Sequence, residues 1–490
     1  MKGSLRNTET APEPQAVEDD DPFEALAARC VTSVAERVSP DLRFLVFSSP
    51  VCTRRTDVSL LWHPGYRNGH KVRLLLEALA SFPFDLAKGI LRLAPPFRQY
   101  GWCVSGKIEE RVVVLPSLCG EEVTPGQYRT PYVSSQAADA LYLFGLRSSF
   151  GSSAKTMRLR FSTDLARPFF VLSRATLGAA PVVSGRWFER ALIWLSWCSW
   201  LVSLRWLEVI ALHGNLSAFV EHHRIAKIGC IHEMHEHART VWDVASRHGA
   251  RSYTVQHAAF SAGKRWLFPR RDEVDAGMAL PDVFYVYDDQ VVRMLQEHYR
   301  RTTFLLGSSS RYVPLRTAVP FEAAGSEYYL FATALPFFDN DVVLGSVKRA
   351  LARGSQSRVR VRLHPAAQLT RGTRSWLRSA HRSGTLDLSS GRSLDQDLQG
   401  AIAVVGMGST VLEEALVMGR PVVQITDSRF REYLDLEGLS GVSRIDYETF
   451  SSSTLALESL PPIDRAPLEA RRRLGLTQLE VTYDRLFAPQ

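Results

Sequence analysis

From Asp41 onward, short apolar runs bounded by Gly, Pro, Asn and Ser alternate with longer stretches whose apolar residues return every three or four positions. This rhythm predicts βαβ units, hence an α/β fold with a mostly parallel sheet. In the first half the predicted strands are Leu42 to Ser48, Val58 to Trp62 and Arg111 to Leu115. The second of these runs into the basic, Gly-containing loop 64–71 (PGYRNGHK), and a helix is expected from Val72 to Ala80. From Ala226 the pattern sharpens into strand AKIGCI, an acidic and His-rich loop (HEMHEH), a helix from Ala238 to His248, and strand RSYTV ending in Gln256-His257. A further unit follows, with strand VFYVY, a helix from Asp289 to Tyr299 and strand TTFLLG.

The polar connection from Ser308 to about Ala324 predicts an interdomain linker, after which the rhythm restarts. Strand YYLFA (328–332), helix 341–353, strand VRVRL (359–363), strand TLDL (385–388) and a short helix from Ser393 lead to the clearest unit. That unit is strand AIAVVG (401–406), turn Met407-Gly408, helix Ser409 to Met418 and strand PVVQI. The expected organisation is a disordered tail over 1–22, a first domain over 40–310, a second over 325–465 and a terminal amphipathic helix over 466–490. Residues 1–22 are rich in Pro, Glu and Asp and carry too few large apolar groups to offset the entropy of ordering.

Composition changes this picture little. The 490 residues are 45% hydrophobic and 22% charged, ordinary for a globular chain long enough for two or three cores. Six cysteines stand without CxxC spacing, and no secretory signal pattern opens the chain, so a cytoplasmic setting is expected. The net charge of +8 suits an anionic partner, and nothing in the sequence points to nucleic acid. One stretch stands apart: Ala191 to Leu204 (ALIWLSWCSWLVSL) is apolar, rich in Trp and flanked by Arg186, Arg190 and Arg205. At this length it is too short to span a bilayer and fits either a buried core helix or a helix lying in a membrane interface.

Several residues can carry chemistry. In Gly406-Met407-Gly408-Ser409-Thr410 two glycines let the chain turn sharply after a strand, and two hydroxyls stand where a helix begins. Such a helix start attracts phosphate; the same pattern also serves as an ordinary helix cap. Glu413 and Glu414, one turn in, are placed to accept ribose hydroxyls or to face solvent. His364-Pro365 ends a predicted parallel strand, at the sheet edge where ligands of open α/β sheets bind. The loop residues Arg67, His70 and Lys71 offer cations to an acceptor. His232, His235 and His237 with Glu233 and Glu236 do not make the HExxH zinc pattern, because position 236 is Glu, and no metal or other cofactor is expected. Asp339-Asn340-Asp341 has a DxD form but opens a helix, where Asp is a preferred cap.

Strand-RLHP followed some forty residues later by strand-GSTVLEEALVMGRPVV resembles the C-terminal domain of GT-B glycosyltransferases. It is most similar to the bacterial branch of sialic-acid and Kdo transferases and of capsule, lipopolysaccharide and other surface-carbohydrate biosynthesis proteins. The run IHEMHEHARTVWDVASRHGARSYTVQHA is similar to the same branch, except that Ala258 stands where Gln-His-Gly is usual. The resemblance covers about residues 226 to 426. It implies two Rossmann-like domains with a cleft between them, and an inverting, metal-independent transfer from a nucleotide-sugar, CMP-activated and acidic, to a glycan or lipid-linked acceptor. By the resemblance His364, Pro365, Gly408, Ser409 and Thr410 bind the donor phosphate and Glu233 is the base, with Glu236 next. Gln256 and His257 would meet the acceptor, His257 being a further candidate base. Three alternatives stay open: a CDP-glycerol type phosphotransferase, a nucleotide-sugar 2-epimerase, and a non-catalytic glycan-binding module of a polysaccharide assembly machine.

Overall fold

The computed structural model describes residues 22–53, 68–93, 111–115, 121–124, 127–129, 141–144, 163–179, 186–231, 236–256, 267–286, 289–306, 327–334, 340–352, 358–364, 369–427, 436–437 and 441–452, with single residues 260, 367, 434 and 439. The expected strand Val58 to Trp62, the linker and the terminal helix lie outside the described residues, as does the tail up to residue 21.

The described strands make two six-stranded sheets in which every pairing is parallel. In the first half they are β1 (Arg111–Leu115), the antiparallel pair β2 (Glu121–Thr124) and β3 (Gln127–Arg129), β4 (Leu141–Phe144), β5 (Lys227–Ile231), β6 (Arg251–Val255), β7 (Val283–Val286) and β8 (Thr303–Leu306). The first sheet runs β4-β1-β5-β6-β7-β8. In the second half are β9 (Tyr328–Ala332), β10 (Val359–Arg362), β11 (Asp387–Leu388), β12 (Ala401–Gly406), β13 (Val422–Thr426) and β14 (Val442–Asp446), ordered β11-β10-β9-β12-β13-β14. Counted within its own unit this is the 3-2-1-4-5-6 order of a doubly wound Rossmann sheet. β7 and β9 are buried at every position, as strands covered on both faces must be.

The helices of the first half are α1 (Pro22–Arg37), α2 (Arg43–Phe47), α3 (Pro50–Thr53), α4 (Asn68–Leu93), α5 (Thr163–Ala179), α6 (Trp187–Val202), α7 (Arg205–His223), α8 (Glu236–His248), α9 (Arg271–Asp275) and α10 (Asp289–Leu295). The expected strand Leu42 to Ser48 is instead a helical turn, Pro40–Leu42, followed by α2. Phe44, Leu45, Val46 and Phe47 are all buried, and an unbroken apolar run of that length reads alike as strand or core helix until packing decides. Here packing against α1 and α8 decides for helix. α1 itself lies ahead of the expected boundary at residue 40, and Phe23, Leu26, Cys30, Val31 and Val34 are buried in the same core.

One further expectation is corrected, and one left open between two readings is narrowed to a core helix. α4 begins at Asn68 and continues through Pro83 to Leu93, so His70 and Lys71 stand in its first turn and not in a loop. The Trp-rich stretch belongs to α6 and turns Leu192, Ile193, Trp197, Trp200 and Leu201 into the core. No single described helix is long and apolar enough to cross a membrane; α6 and α7 meet that test only as a pair bent by 62°.

In the second half are α11 (Asn340–Ala352), α12 (Arg371–Arg382), α13 (Leu394–Gln399), α14 (Val411–Val417) and α15 (Tyr447–Ser452). Arg360 and Arg362 alternate with Val359 and Val361 along β10, so both guanidinium groups leave the strand on one face. They meet Asp397 of α13, which is fully buried: Arg362 Nη1 lies 2.7 Å from one carboxylate oxygen and Arg360 Nη1 3.6 Å from the other. Ser389 donates to the same carboxylate, and Arg360 lies 3.7 Å over the Tyr328 ring. A buried charge held this way fixes β10 against β9 and α13.

Candidate functional site

In the second sheet the chain leaves β9 toward β10 on one side and later returns to β12 on the other. β9 therefore stands between the two strands that carry the candidate residues. The register pairs Ala332 with Arg362 of β10 and with Gly406 of β12. His364 follows the first partner by two residues and Ser409 follows the second by three, so both emerge at the carboxyl edge of the sheet. With neighbouring strands about 4.8 Å apart, β10 and β12 are separated by roughly 10 Å there, a gap that one phosphoryl group can bridge.

The edge is built tightly. Thr333, buried just after β9, donates its N–H to the Arg362 carbonyl at 3.0 Å, and its hydroxyl accepts the His364 N–H at 2.7 Å. The His364 carbonyl in turn accepts the N–H of Ala367 at 2.9 Å, closing a turn after the strand. The backbone at His364 is thus fixed from both sides, and its ring is half-buried. Pro365 lies outside the described residues.

On β12, Gly406 is needed for a spatial reason: a Cβ there would sit 2.8 Å from the Ala332 carbonyl oxygen and 3.4 Å from a Leu412 methyl. Met407, Gly408 and Ser409 are buried and Thr410 is half-buried at the start of α14. The ordinary cap reading holds for Ser409 and not for Thr410. Thr410 makes no side-chain capping bond, and Ser409 Oγ accepts the Val411 N–H at a long 3.4 Å. Glu413 and Glu414 are both buried, which overturns the solvent-facing alternative for them. After α14 the chain turns back through Gly419 at φ +72°, a conformation that favours glycine.

In the first sheet the chain switches direction between β1 and β5, and β5 ends at Ile231. α8 begins at Glu236, so Glu233 falls in the connection at that switch, outside the described residues along with His232 and His235. Glu236 is already engaged: Arg205 Nη2 lies 2.9 Å from its carboxylate. The start of α8 is held from behind, because Ser48 donates to the Glu236 carbonyl at 3.2 Å and Arg239 donates to the Phe47 carbonyl at 3.0 Å. Gln256 is buried at the end of β6 and donates its N–H to the Tyr285 carbonyl at 2.9 Å. His257 and Arg67 lie outside the described residues, and the side chains of His70 and Lys71 are likewise not described.

The DxD-like segment is structural in its described part. Asn340 holds both backbone groups of Ala334, and the Asp341 carboxylate accepts the N–H and hydroxyl of Thr370 at the start of α12. Sequence reasoning missed Thr333, which orders His364, and the pairing of Arg362 with Asp397. An arginine at alternate positions of a buried strand was the available signal for the second.

No protein-family model matches the chain, and no curated protein matches it. Among solved structures it is similar to the pneumococcal O-GlcNAc transferase GtfA in complex with UDP and GlcNAc, at 12% identity and TM-score 0.37 over 56% of this chain. The chain spans 60% of the length of that structure. The UDP-GlcNAc 2-epimerase of Methanocaldococcus jannaschii with UDP-GlcNAc and UDP is similar at 10% identity and TM-score 0.43, over 76% of this chain and 99% of that one. That of Neisseria meningitidis bound to UDP-GlcNAc is similar at 12% identity and TM-score 0.36, over 55% of this chain and 75% of that one.

Proposed function

We propose that the chain is a nucleotide-sugar-dependent glycosyltransferase of the GT-B type. The observation that carries this reading is the convergence of the β10 and β12 edges across β9, which sets His364 on one side of a phosphate-sized gap and Ser409 and Thr410 on the other. Hydroxyls and an imidazole so placed stabilise charge that grows on a leaving phosphate. In the proposed reaction an acceptor hydroxyl oxygen bonds to the anomeric carbon while the bond from that carbon to the phosphate oxygen breaks. The acceptor proton passes to the Glu233 carboxylate and the departing nucleotide phosphate is held by His364, Ser409 and Thr410. Inversion follows from a single displacement, and no metal or cofactor has a step in it.

The donor in this proposal is a CMP-activated acidic sugar of the sialic-acid or Kdo kind, because its leaving group carries one phosphate and suits a short cradle. The acceptor is a glycan or lipid-linked glycan of a surface polysaccharide, and the proposed setting is the cytoplasm, where thiols such as Cys30, Cys52, Cys198 and Cys230 stay reduced.

A thermal-shift comparison of CMP, CDP, UDP and GDP with their sugars tests the site, since a ligand bound only by the native state raises the melting temperature. The expected result is stabilisation by CMP and CMP-sugars that weakens in Ser409→Ala with Thr410→Ala, on the order of 1 kcal/mol per hydroxyl. Glu233→Gln should keep that stabilisation and lower transfer about 100-fold or more. Stabilisation by UDP alone overturns the donor class, turnover without any acceptor points to epimerisation, and no response to any nucleotide overturns the enzyme reading.

A further inference from the structure

The described surface places its large apolar side chains unevenly. Nine are exposed, and eight of them lie on α4, α5 and α6, the exception being Leu363. On α4, Leu76, Leu79, Phe84, Leu86 and Ile90 are exposed, and Ala80, Pro83 and Ala87 fill the positions between. These return at helical spacing and make one apolar stripe about 21 Å long.

The opposite side of α4 is docked, so the stripe faces away from the protein. Gly89 lies so close to α6 that a Cβ there would overlap the Val202 carbonyl, and Asp85 accepts a hydrogen bond from Ser199. α6 also packs on α5, which exposes Phe170 and Leu177, the latter at 69%; Trp187 at the start of α6 is 72% exposed. Surface apolar groups normally occur singly, and a cluster of this kind marks a surface that meets something.

The charges say what. Among the described residues of these helices and Arg186, every exposed charged side chain is a cation: Lys88, Arg167, Arg174, Arg186 and Arg190. The carboxylates described there are Asp85, bonded to Ser199 and 3.4 Å from Lys88, and the buried Glu189, bonded to the N–H of Arg186, so Arg167, Arg174, Arg186 and Arg190 carry the positive character of the face. A second copy docked about a two-fold axis would set this positive face against itself. Apolar side chains ringed by Lys and Arg instead match an anionic lipid surface, where the apolar groups enter the acyl boundary and the cations meet phosphate.

We propose that the face formed by α4, α5 and the start of α6 docks the protein on an anionic membrane surface. It does so without the Trp-rich core of α6, and independently of the transferase reading. The test is sedimentation of the full chain with phosphatidylcholine vesicles with and without about 30% phosphatidylglycerol. Binding is expected only to the anionic vesicles, and to fall about tenfold or more at about 0.5 M salt, where exposed charges are screened. Phe84→Ser with Ile90→Ser should weaken it about tenfold or more with the melting temperature kept, since apolar burial is lost. Arg167→Glu with Arg174→Glu, both exposed on α5, removes much of the attraction and leaves the apolar stripe intact, so it decides the matter if the first variant fails to fold. Equal binding to neutral vesicles, absence of binding to anionic ones, unchanged binding by both variants, or a stable dimer that Phe84→Ser dissociates would each overturn the proposal.

Discussion

Replacing Asp397 by Asn isolates one buried charge beside the candidate site. Asp397 is fully buried and balances Arg360, whose side chain is 6% exposed, and Arg362, at 27%. Asn keeps the size and one acceptor oxygen but removes the charge, leaving two guanidinium groups facing a neutral amide. Breaking a buried pair by removing one partner costs about 3–5 kcal/mol. The lower end applies, because Arg360 retains Asp387 at 3.2 Å and the Tyr328 ring, and Arg362 can reach water. A loss of about 3 kcal/mol in a unit of this size lowers its melting temperature by roughly 10 °C. Urea and thermal unfolding should show this in the transition of the second unit alone. Asp387→Asn is the control: it touches the same Arg360 but is 63% exposed, and should cost about 1 kcal/mol or less. Equal, small effects of the two variants would refute the claim that Asp397 holds β10 in place.

Gly406→Ala should destabilise by about 1–3 kcal/mol and weaken nucleotide binding, because its methyl meets the Ala332 carbonyl and pushes the end of β12 away from β9. Gly372→Ala, on an α12 face with nothing within 4 Å, should by contrast be neutral or stabilising by about 1 kcal/mol in a calorimetric comparison. Burial pushes the Cys30 thiol up from 9.0 to about 11 against a smaller opposing pull from Trp197. The thiol form is favoured by folding, so its contribution is present below pH 9 and is lost as pH rises through about 11. Peptide mapping after iodoacetamide treatment of the native protein at about pH 8 should find Cys30 unmodified, and rapid modification would contradict its burial.

The legible parts of the fold share one property. β6, β7, β9 and β12 are covered on both faces, so they appear as dense apolar runs between turn residues, and their helices carry a stripe of one period. Where that property fails, the pattern misleads. Residues 43–47 are as apolar as a buried strand, and the preceding Ser39-Pro40 starts a helical turn whose continuation is set by α1 and α8. In α4 the proline at position 83 reads as a stop, yet the helix passes through it. A proline removes one backbone donor and crowds the preceding turn, a cost that packing of the docked face against α6 offsets.

The candidate site divides along the same line. Ser409, Thr410 and His364 are visible in sequence because they sit at fixed offsets from strands that are themselves visible. Thr333 is not, since a threonine after a strand has no distinguishing neighbours; only the register β10-β9-β12 brings its hydroxyl to the His364 N–H. Arg362 shows why pairing matters more than residue type. By charge alone it competes with His364 as a phosphate ligand two residues away, but its Nη1 already serves Asp397, Ser389 and the Arg392 carbonyl. A cation committed to a buried carboxylate has little left to offer a ligand, whereas the half-buried His364 stands at the carboxyl edge of the sheet, on a backbone held by Thr333 and Ala367, where ligands of open α/β sheets arrive. The division of labour on β10 thus follows from alternation: Arg360 and Arg362 hold the strand from one face, and the strand delivers His364 at its end.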